Sequence, residues 1–157
     1  MMPMTGTIAR AKATPVDRLV AVIIDSIIMV PVYLVVGLVV GLTGAILSSP
    51  MVAGFITNAV VAVIGAAWFL MRDAMGLSIG KKIMGLEVVS KHGGPASQEQ
   101  LKKRNFTLAG GQACVAVPFI GGLVAFAVNI YEAYMLFSKG ERYGDQMAET
   151  MVVKKAA

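Results

Sequence analysis

The 157-residue chain is 57% apolar and only 15% charged, whereas soluble domains usually carry about 25% charged residues. This composition excludes an ordinary soluble domain and indicates a single membrane-embedded unit. The net charge of +5 does not indicate nucleic-acid binding, because all 14 Lys and Arg residues lie in residues 1–18, 72–104 and 139–155, as expected of loops on one side of a membrane.

The first predicted span covers residues 19–42, in which Asp25 is the one charged residue. About 20 apolar residues suffice to cross a bilayer as a helix, and this run is too long for the core of a cleaved signal sequence. A carboxylate inside a span costs about 2.5–3.5 kcal/mol on insertion scales, so Asp25 is a candidate functional residue. Arg18 precedes it by about 10 Å of helix on nearly the same face, and we expect the two side chains to pair.

The second predicted span covers residues 51–71, after which Arg72 and Asp73 are expected to mark the return to water. The polar segment at residues 72–103 is predicted to be a cytoplasmic loop. Within it, residues 83–89 have the composition of a strand and precede turn residues. A second strand candidate at residues 150–154 can pair with the first beside the membrane.

Ser97 is a predicted N-cap for a short helix that begins near Gln98. Residues 106–137 would form a helix about 48 Å long if they were straight, well beyond the ~30 Å hydrocarbon core. Pro118, Gly121 and Gly122 interrupt this run, so we expect a helical hairpin instead.

The expected fold is therefore an all-α, four-helix transmembrane bundle that forms a single domain over residues 1–157. Its third span, residues 104–117, is short, and the hairpin turns at Pro118–Gly122 into a fourth span at residues 120–137. Four spans place every basic residue on the cytoplasmic side, together with the tail at residues 138–157, whereas three spans would export the basic tail.

Asp25 and Glu132 are the acidic residues that fall inside the predicted spans. Each lies seven residues from the basic end of its span, so both are expected about 10 Å below the same surface. Asn129 lies on a neighbouring part of the Glu132 helix face. Arg18, Asp25, Asn129 and Glu132 are thus candidates for one polar pocket that binds a proton or an ion.

Two interpretations of this pocket remain open at the level of sequence. In the functional interpretation, a carboxylate at low dielectric has a raised pKa and exchanges a proton or binds a cation. In the structural interpretation, Arg18 and Asp25 form a buried pair that fixes geometry without adding much net stability.

The sequence supplies no set of residues for catalysis or for a metal site, so we expect neither an enzyme nor a cofactor. Cys114 is the one cysteine and His92 the one histidine, and neither has the partners that a nucleophile or a zinc site requires. The loop from Gly76 to Lys82 has the wrong spacing for a phosphate-binding loop. Lys81 and Lys82 are instead expected near anionic lipid headgroups.

Several motifs in this order resemble the RDD family of bacterial membrane proteins, over about residues 15–154. The family takes its name from one arginine and two aspartates, which the resemblance places at Arg18, Asp25 and Asp145. The other matching features are Gly80 and Lys81 in the loop of residues 78–89, Arg104 before Asn105, and the segment of residues 144–153. Glu149 departs from the pattern, because relatives usually have a small residue there, and this puts tight packing or a close turn in doubt.

The resemblance implies a role in transport, and sodium/proton exchange has been proposed for some relatives. Our first hypothesis is therefore an inner-membrane protein that moves an ion or small solute, with Asp25 as the carrier. Four short spans are few for a monomeric transporter, so a homo-oligomer would be needed to enclose a pathway. The alternative is an accessory or assembly subunit in which Arg18, Asp25 and Asp145 are structural. The expected partners are the lipid bilayer with its anionic headgroups and other membrane subunits.

Overall fold

The helices and strands follow from a computed structural model that describes residues 11–47 and 49–155, without the side chain of Leu47. The outer parts of the predicted N-terminal segment and tail, residues 1–10 and 156–157, lie outside the described residues. In chain order the elements are α1 (Pro15–Leu47), α2 (Pro50–Ala74), α3 (Ile79–Ile83), β1 (Leu86–Ser90), α4 (Gln98–Lys103), α5 (Phe106–Ala113) with the 3₁₀ turn Cys114–Ala116, α6 (Gly121–Lys139), α7 (Tyr143–Met147) and β2 (Thr150–Lys154).

Helices α1, α2 and α6 are each long and apolar enough to cross a membrane. Helix α5 and its 3₁₀ turn are about 18 Å long together, which is too short to cross a ~30 Å hydrocarbon core. The described residues thus contain three candidate spans and one short apolar helix. Three of the four predicted spans are supported, and the third predicted span, which corresponds to α5, stays a prediction.

The chain reverses direction between α5 and α6, in the segment where the sequence predicts a break. Helical structure ends after Ala116 and resumes at Gly121. A Cβ atom on Gly121 would lie 1.8 Å from the carbonyl oxygen of Cys114, so the close approach of the two helices requires glycine at this position. Phe119, at the tip of the reversal, is 97% exposed.

Measured from the buried acids Glu132 and Asp25, the α5–α6 hairpin extends only about half as far into the membrane as the α1–α2 hairpin. From Glu132, which bonds to α5 near its start, to Gly121 the helix descends about 17 Å. From Asp25 to Leu47 helix α1 descends about 33 Å. The distal parts of α1 and α2 therefore extend beyond the second hairpin, and large apolar side chains such as Leu38 and Leu42 are exposed there.

A two-stranded antiparallel sheet joins the loop to the tail. Strand β1 pairs with β2 so that Leu86 lies opposite Lys154 and Ser90 opposite Thr150, which confirms the predicted β pair. The first strand begins three residues later than expected because residues 79–83 form α3. The predicted cap is also present, since Ser97 and Gln100 form a reciprocal capping box on α4.

The N-terminal segment, the loop and the tail all meet at one end of the molecule, which we call the polar end (residues 11–18, 75–105 and 140–155). The backbone N–H of Ala13 donates to the carbonyl of Val152 at 2.9 Å, and Lys12 forms an ion pair with Glu141. Segments in direct contact lie on the same side of a bilayer. The polar end therefore lies on one side of the membrane that the long helices cross.

Replacing Gly121 with alanine should loosen the α5–α6 reversal, because the new methyl group would collide with a backbone carbonyl rather than with a flexible side chain. We expect a loss of about 1–3 kcal/mol, measured as a lower melting temperature in detergent. Gly122→Ala is the matched control, since nothing lies within 4 Å of its Cβ position. Equal melting temperatures for the two variants would contradict the proposed contact.

Candidate functional site

Asp145 is completely buried in α7 and is surrounded by three arginines. One carboxylate oxygen lies 2.6 Å from Nη2 of Arg104 and 3.6 Å from Nη2 of Arg142, and the other pairs with Arg18. The approach of Arg104 is close in distance but is not aligned as a hydrogen bond. Gly140, which adopts the left-handed conformation with φ of 69°, ends α6 and lets the chain return toward its own helix.

Burial alone would raise the pKa of Asp145, because a carboxylate loses hydration inside the protein. The positive charges of Arg104, Arg142 and Arg18 outweigh this effect and hold the pKa of the carboxyl well below its usual range. Asp145 is therefore a carboxylate at every physiological pH, and it acts as a fixed counter-charge rather than as a proton carrier.

Asp73 at the end of α2 is a second buried centre of the same cluster. It pairs with Lys81, accepts a 2.8 Å hydrogen bond from the side-chain amide of Asn105, and lies 3.6 Å from Nη1 of Arg104. Arg104 thus bridges Asp73 and Asp145, and so connects the end of α2 to the tail.

Asp25 binds the loop rather than an arginine. Its carboxylate accepts hydrogen bonds from the hydroxyl of Ser78 at 2.6 Å and from the backbone N–H of Gly80 at 2.8 Å. A Cβ atom on Gly80 would lie 1.9 Å from the carbonyl oxygen of Ala21, so α3 rests directly on α1. Asp25 is 2% exposed, and its two hydrogen bonds hold α3 against the side of α1.

The expected pairing of Arg18 with Asp25 is wrong, because Arg18 pairs with Asp145. The physical reason is the direction of side chains on a helix, which lean toward its N-terminus. Arg18 therefore extends toward the polar end and meets the returning tail, while Asp25 lies two turns deeper beside α3.

Glu132 and Asn129 lie on α6 and make different contacts. The carboxylate of Glu132 accepts a hydrogen bond from the hydroxyl of Thr107 and one from the backbone N–H of Gly144 at 3.3 Å. Asn129 donates to the carbonyl of Ala125, one turn earlier in its own helix. Glu132 is buried and joins α5, α6 and α7.

A cavity of about 290 Å³ lies between α1 and α6, and all four residues of the predicted pocket line it. Helix α1 packs on α2 and α3, whereas α6 packs on α5, which leaves space between α1 and α6. The polar lining consists of Arg18, Asp25, Ser26, Tyr33, Arg72, Lys81, Arg104, Gln112, Asn129, Glu132 and Arg142.

The expectation that Arg72 and Asp73 mark the return to water is wrong, since both side chains are buried in the cluster. Lys81 is also not directed toward lipid headgroups, because its side chain is 13% exposed and faces Asp73. The sequence did contain a signal for part of this cluster. Arg142 and Asp145 are spaced three residues apart, as ion-paired residues on one helical turn often are.

One of the comparisons with known proteins identifies the family of the chain. The RDD family model matches residues 12–153, which is nearly the whole described chain. The chain belongs to the RDD family. No curated protein and no solved structure gives a significant match. In this RDD protein the three residues that the resemblance assigns to the name-giving positions are all buried, with Arg18 and Asp145 in one ion pair and Asp25 in a separate contact with the loop.

Glu149, the position that departs from the RDD pattern, still forms a close turn. Its φ is 53°, a conformation that most side chains avoid. Its side chain is exposed and contacts His92 at 2.7 Å, and this hydrogen bond lowers the pKa of the Glu149 carboxyl. The larger residue is accommodated because it projects into solvent.

Asp145→Asn should destabilise the protein strongly, because three buried guanidinium groups would lose their shared counter-charge. Breaking a buried ion pair by removing one partner costs about 3–5 kcal/mol, so we expect a large fall of the melting temperature in detergent. Glu141→Gln is the matched control. Its ion pairs with Lys12 and Lys91 are partly exposed and are expected to contribute less than about 1 kcal/mol. Similar losses in both variants would contradict the central role of Asp145.

The contribution of Asp145 should also have a defined pH dependence. Its pKa in the folded protein is lowered, so its stabilisation is fully present above the unfolded value of about 4 and is lost as pH falls through the folded pKa. We expect the melting-temperature difference between wild type and Asp145→Asn to stay constant from about pH 5 to 8 and to shrink below about pH 4. A difference that changes between pH 6 and 8 would contradict this assignment.

Proposed function

We propose that this RDD-family protein is a non-enzymatic accessory or assembly subunit of the bacterial inner membrane, with its polar end in the cytoplasm. The observation that carries the proposal is that both motif aspartates are occupied by contacts inside the chain. Asp25 accepts two hydrogen bonds from the loop, and Asp145 neutralises three arginines. Carboxylates held in this way fix the polar end as one rigid unit. The cytoplasmic orientation rests on the positive-inside rule.

The charges around the cavity argue against sodium/proton exchange through Asp25. Five basic and two acidic side chains line the cavity. Asp73 and Asp145 lie behind them and pair with four of the five basic residues, so the cluster retains about one net positive charge, which does not favour a cation such as Na⁺. A carrier also needs access to the opposite side of the membrane. In α1 below Asp25, the polar side chains are Ser26, Tyr33 and Thr43, too few for α1 by itself to form a continuous polar path.

The distal parts of α1 and α2 offer a surface for a partner in the membrane. The α5–α6 hairpin does not cover them, and no other described part of the chain lies within 4 Å of the Cβ positions of Gly37 and Gly41. Glycines at this spacing let a second helix approach closely. The partner on this surface is another membrane subunit or a second copy of the chain.

Transport of an ion or small solute is the second candidate function. It is favoured by the position of Asp25 and Glu132, two buried carboxylates that line the same cavity. In this case a solute would bind between α1 and α6, and an oligomer would complete the pathway.

The substitution Asp25→Asn separates the two functions. In the accessory role it should reduce the yield of folded protein and of co-purified partner, because the loop loses its attachment to α1. Ser78→Ala removes one hydrogen bond and leaves the carboxylate, so it should cause a smaller loss of about 0.5–1.5 kcal/mol. Thermal stability in detergent and co-purification from membranes measure these effects. Glu99→Gln, at an exposed acid of α4, is the control.

Ion flux in proteoliposomes is the decisive second measurement. We expect wild-type protein and Asp25→Asn to show the same flux as empty vesicles for Na⁺ and H⁺. Flux that requires the protein, and that Asp25→Asn abolishes while Ser78→Ala retains it, would replace the accessory role with transport.

A further inference from the structure

Basic side chains outnumber acidic ones in the cavity between α1 and the α5–α6 hairpin. The acidic residues of its lining are Asp25 and Glu132, and both already accept hydrogen bonds from the protein. Asp73 and Asp145 balance most of this excess from behind the lining, and the one positive charge that remains in the cluster favours an anion. The basic residues of its lining are Arg18, Arg72, Lys81, Arg104 and Arg142.

Arg72 is the basic residue of the lining that forms no ion pair with any described residue, although the charges of Asp73 and Asp25 are near enough to favour its charged form. The side chain is 2% exposed, and none of the ion pairs within residues 11–47 and 49–155 involves it. Its Nε has no hydrogen-bond partner, and its guanidinium carbon lies 5.0 Å from the centre of the Phe69 ring. A buried charge with unmet hydrogen bonds is costly, and an anion in the cavity would remove this cost.

Two further arginines present unsatisfied donors around the same cavity. The Nε atoms of Arg104 and Arg142 have no hydrogen-bond partner among the described residues, although both side chains form ion pairs through their terminal nitrogens. The planar guanidinium group matches the oxygens of phosphate with paired N–H donors. The unpaired Nε atoms of these arginines and of Arg72 are enclosed by protein, so they bond to a phosphate group only once the guanidinium groups turn toward the cavity.

The walls of the cavity outside this basic region are mainly apolar, and part of them faces the membrane. Leu19 and Val22 line it from α1 and are 40% and 37% exposed, and Leu108 and Leu136 line it from α5 and α6. Because α1 is a membrane-spanning helix, the gap beside these residues opens toward lipid. The cavity therefore combines a basic interior with an apolar opening, which fits a molecule with an anionic head and an apolar tail.

The volume limits how much of such a molecule can enter. A cavity of about 290 Å³ is at the lower end of small-molecule sites, which span roughly 300–1,000 Å³. It can hold a phosphate-containing headgroup and the first atoms of an acyl chain, and the rest of the chain would remain in the bilayer.

We propose that this cavity binds the phosphate group of an anionic phospholipid, which enters from the bilayer between α1 and α6. Arg72 provides the main contact, Arg104 and Arg142 add donors, and the acyl chains lie along the apolar residues of α1. The lipid would complete the hydrogen bonding of the cluster. This site does not depend on the accessory role, because a transporter could hold the same lipid.

The proposal can be tested with delipidated wild-type protein, titrated with phosphatidylglycerol or phosphatidylcholine and followed by native mass spectrometry. We expect tighter binding of phosphatidylglycerol, and a loss of about tenfold or more in Arg72→Gln, since hydrogen bonds to charged groups contribute about 1.5–3 kcal/mol. Lys139→Gln is the matched control, because it removes one positive charge from the exposed end of α6. It should bind phosphatidylglycerol like wild type.

A second variant keeps the test valid if Arg72→Gln does not fold. Val22→Trp leaves every charge in place and fills the cavity from a partly exposed position, so it should also lose phosphatidylglycerol binding. Equal binding of the two lipids, or retention of phosphatidylglycerol in both cavity variants, would overturn the proposal. Thermal stabilisation by inorganic phosphate alone, as large as that by phosphatidylglycerol, would also overturn it in favour of a free-anion site.

Discussion

The neutralisation of buried arginines by Asp145 is the interaction on which the polar end depends. Arg18, Arg104 and Arg142 come from the start of α1, the end of α4 and the start of α7, and all three converge on one carboxylate. A guanidinium group buried without a counter-charge is strongly unfavourable. The tail can therefore dock only when Asp145 is in place, and docking in turn fixes the positions of the helices that carry the arginines.

The same cluster shows that a buried carboxylate can have a structural role without carrying a proton or an ion. An acidic residue inside an apolar span is often a site of proton or ion exchange, and Asp25 fits this pattern at the level of sequence. Its two hydrogen bonds to Ser78 and Gly80 give it a sufficient structural role. The burial of Asp73 beside Lys81 repeats this pattern at the end of α2, so Asp25 and Asp73 each connect a long helix to the loop.

Local patterns in the sequence predicted the long helices, the break near Pro118, the cap at Ser97 and the β pair. Each of these depends on residues that are close together in the chain or on simple alternation. The partner of Arg18 was not predictable, because it depends on how α1 is rotated and on the return of the tail after Gly140. The burial of Arg72 and Asp73 was missed for a related reason. Charged residues at the end of an apolar run normally meet water, and only the folded loop removes them from it.

The pairing of β1 with β2 has a consequence for the order of assembly during translation. Strand β1 is synthesised before α5 and α6, and its pairing with β2 cannot begin until residues 150–154 have been made. Unpaired strand edges are prone to wrong associations, yet this one is short and lies next to a bilayer. The apolar segments of both hairpins are therefore complete before the sheet can close, so the sheet is among the last contacts of the polar end to form.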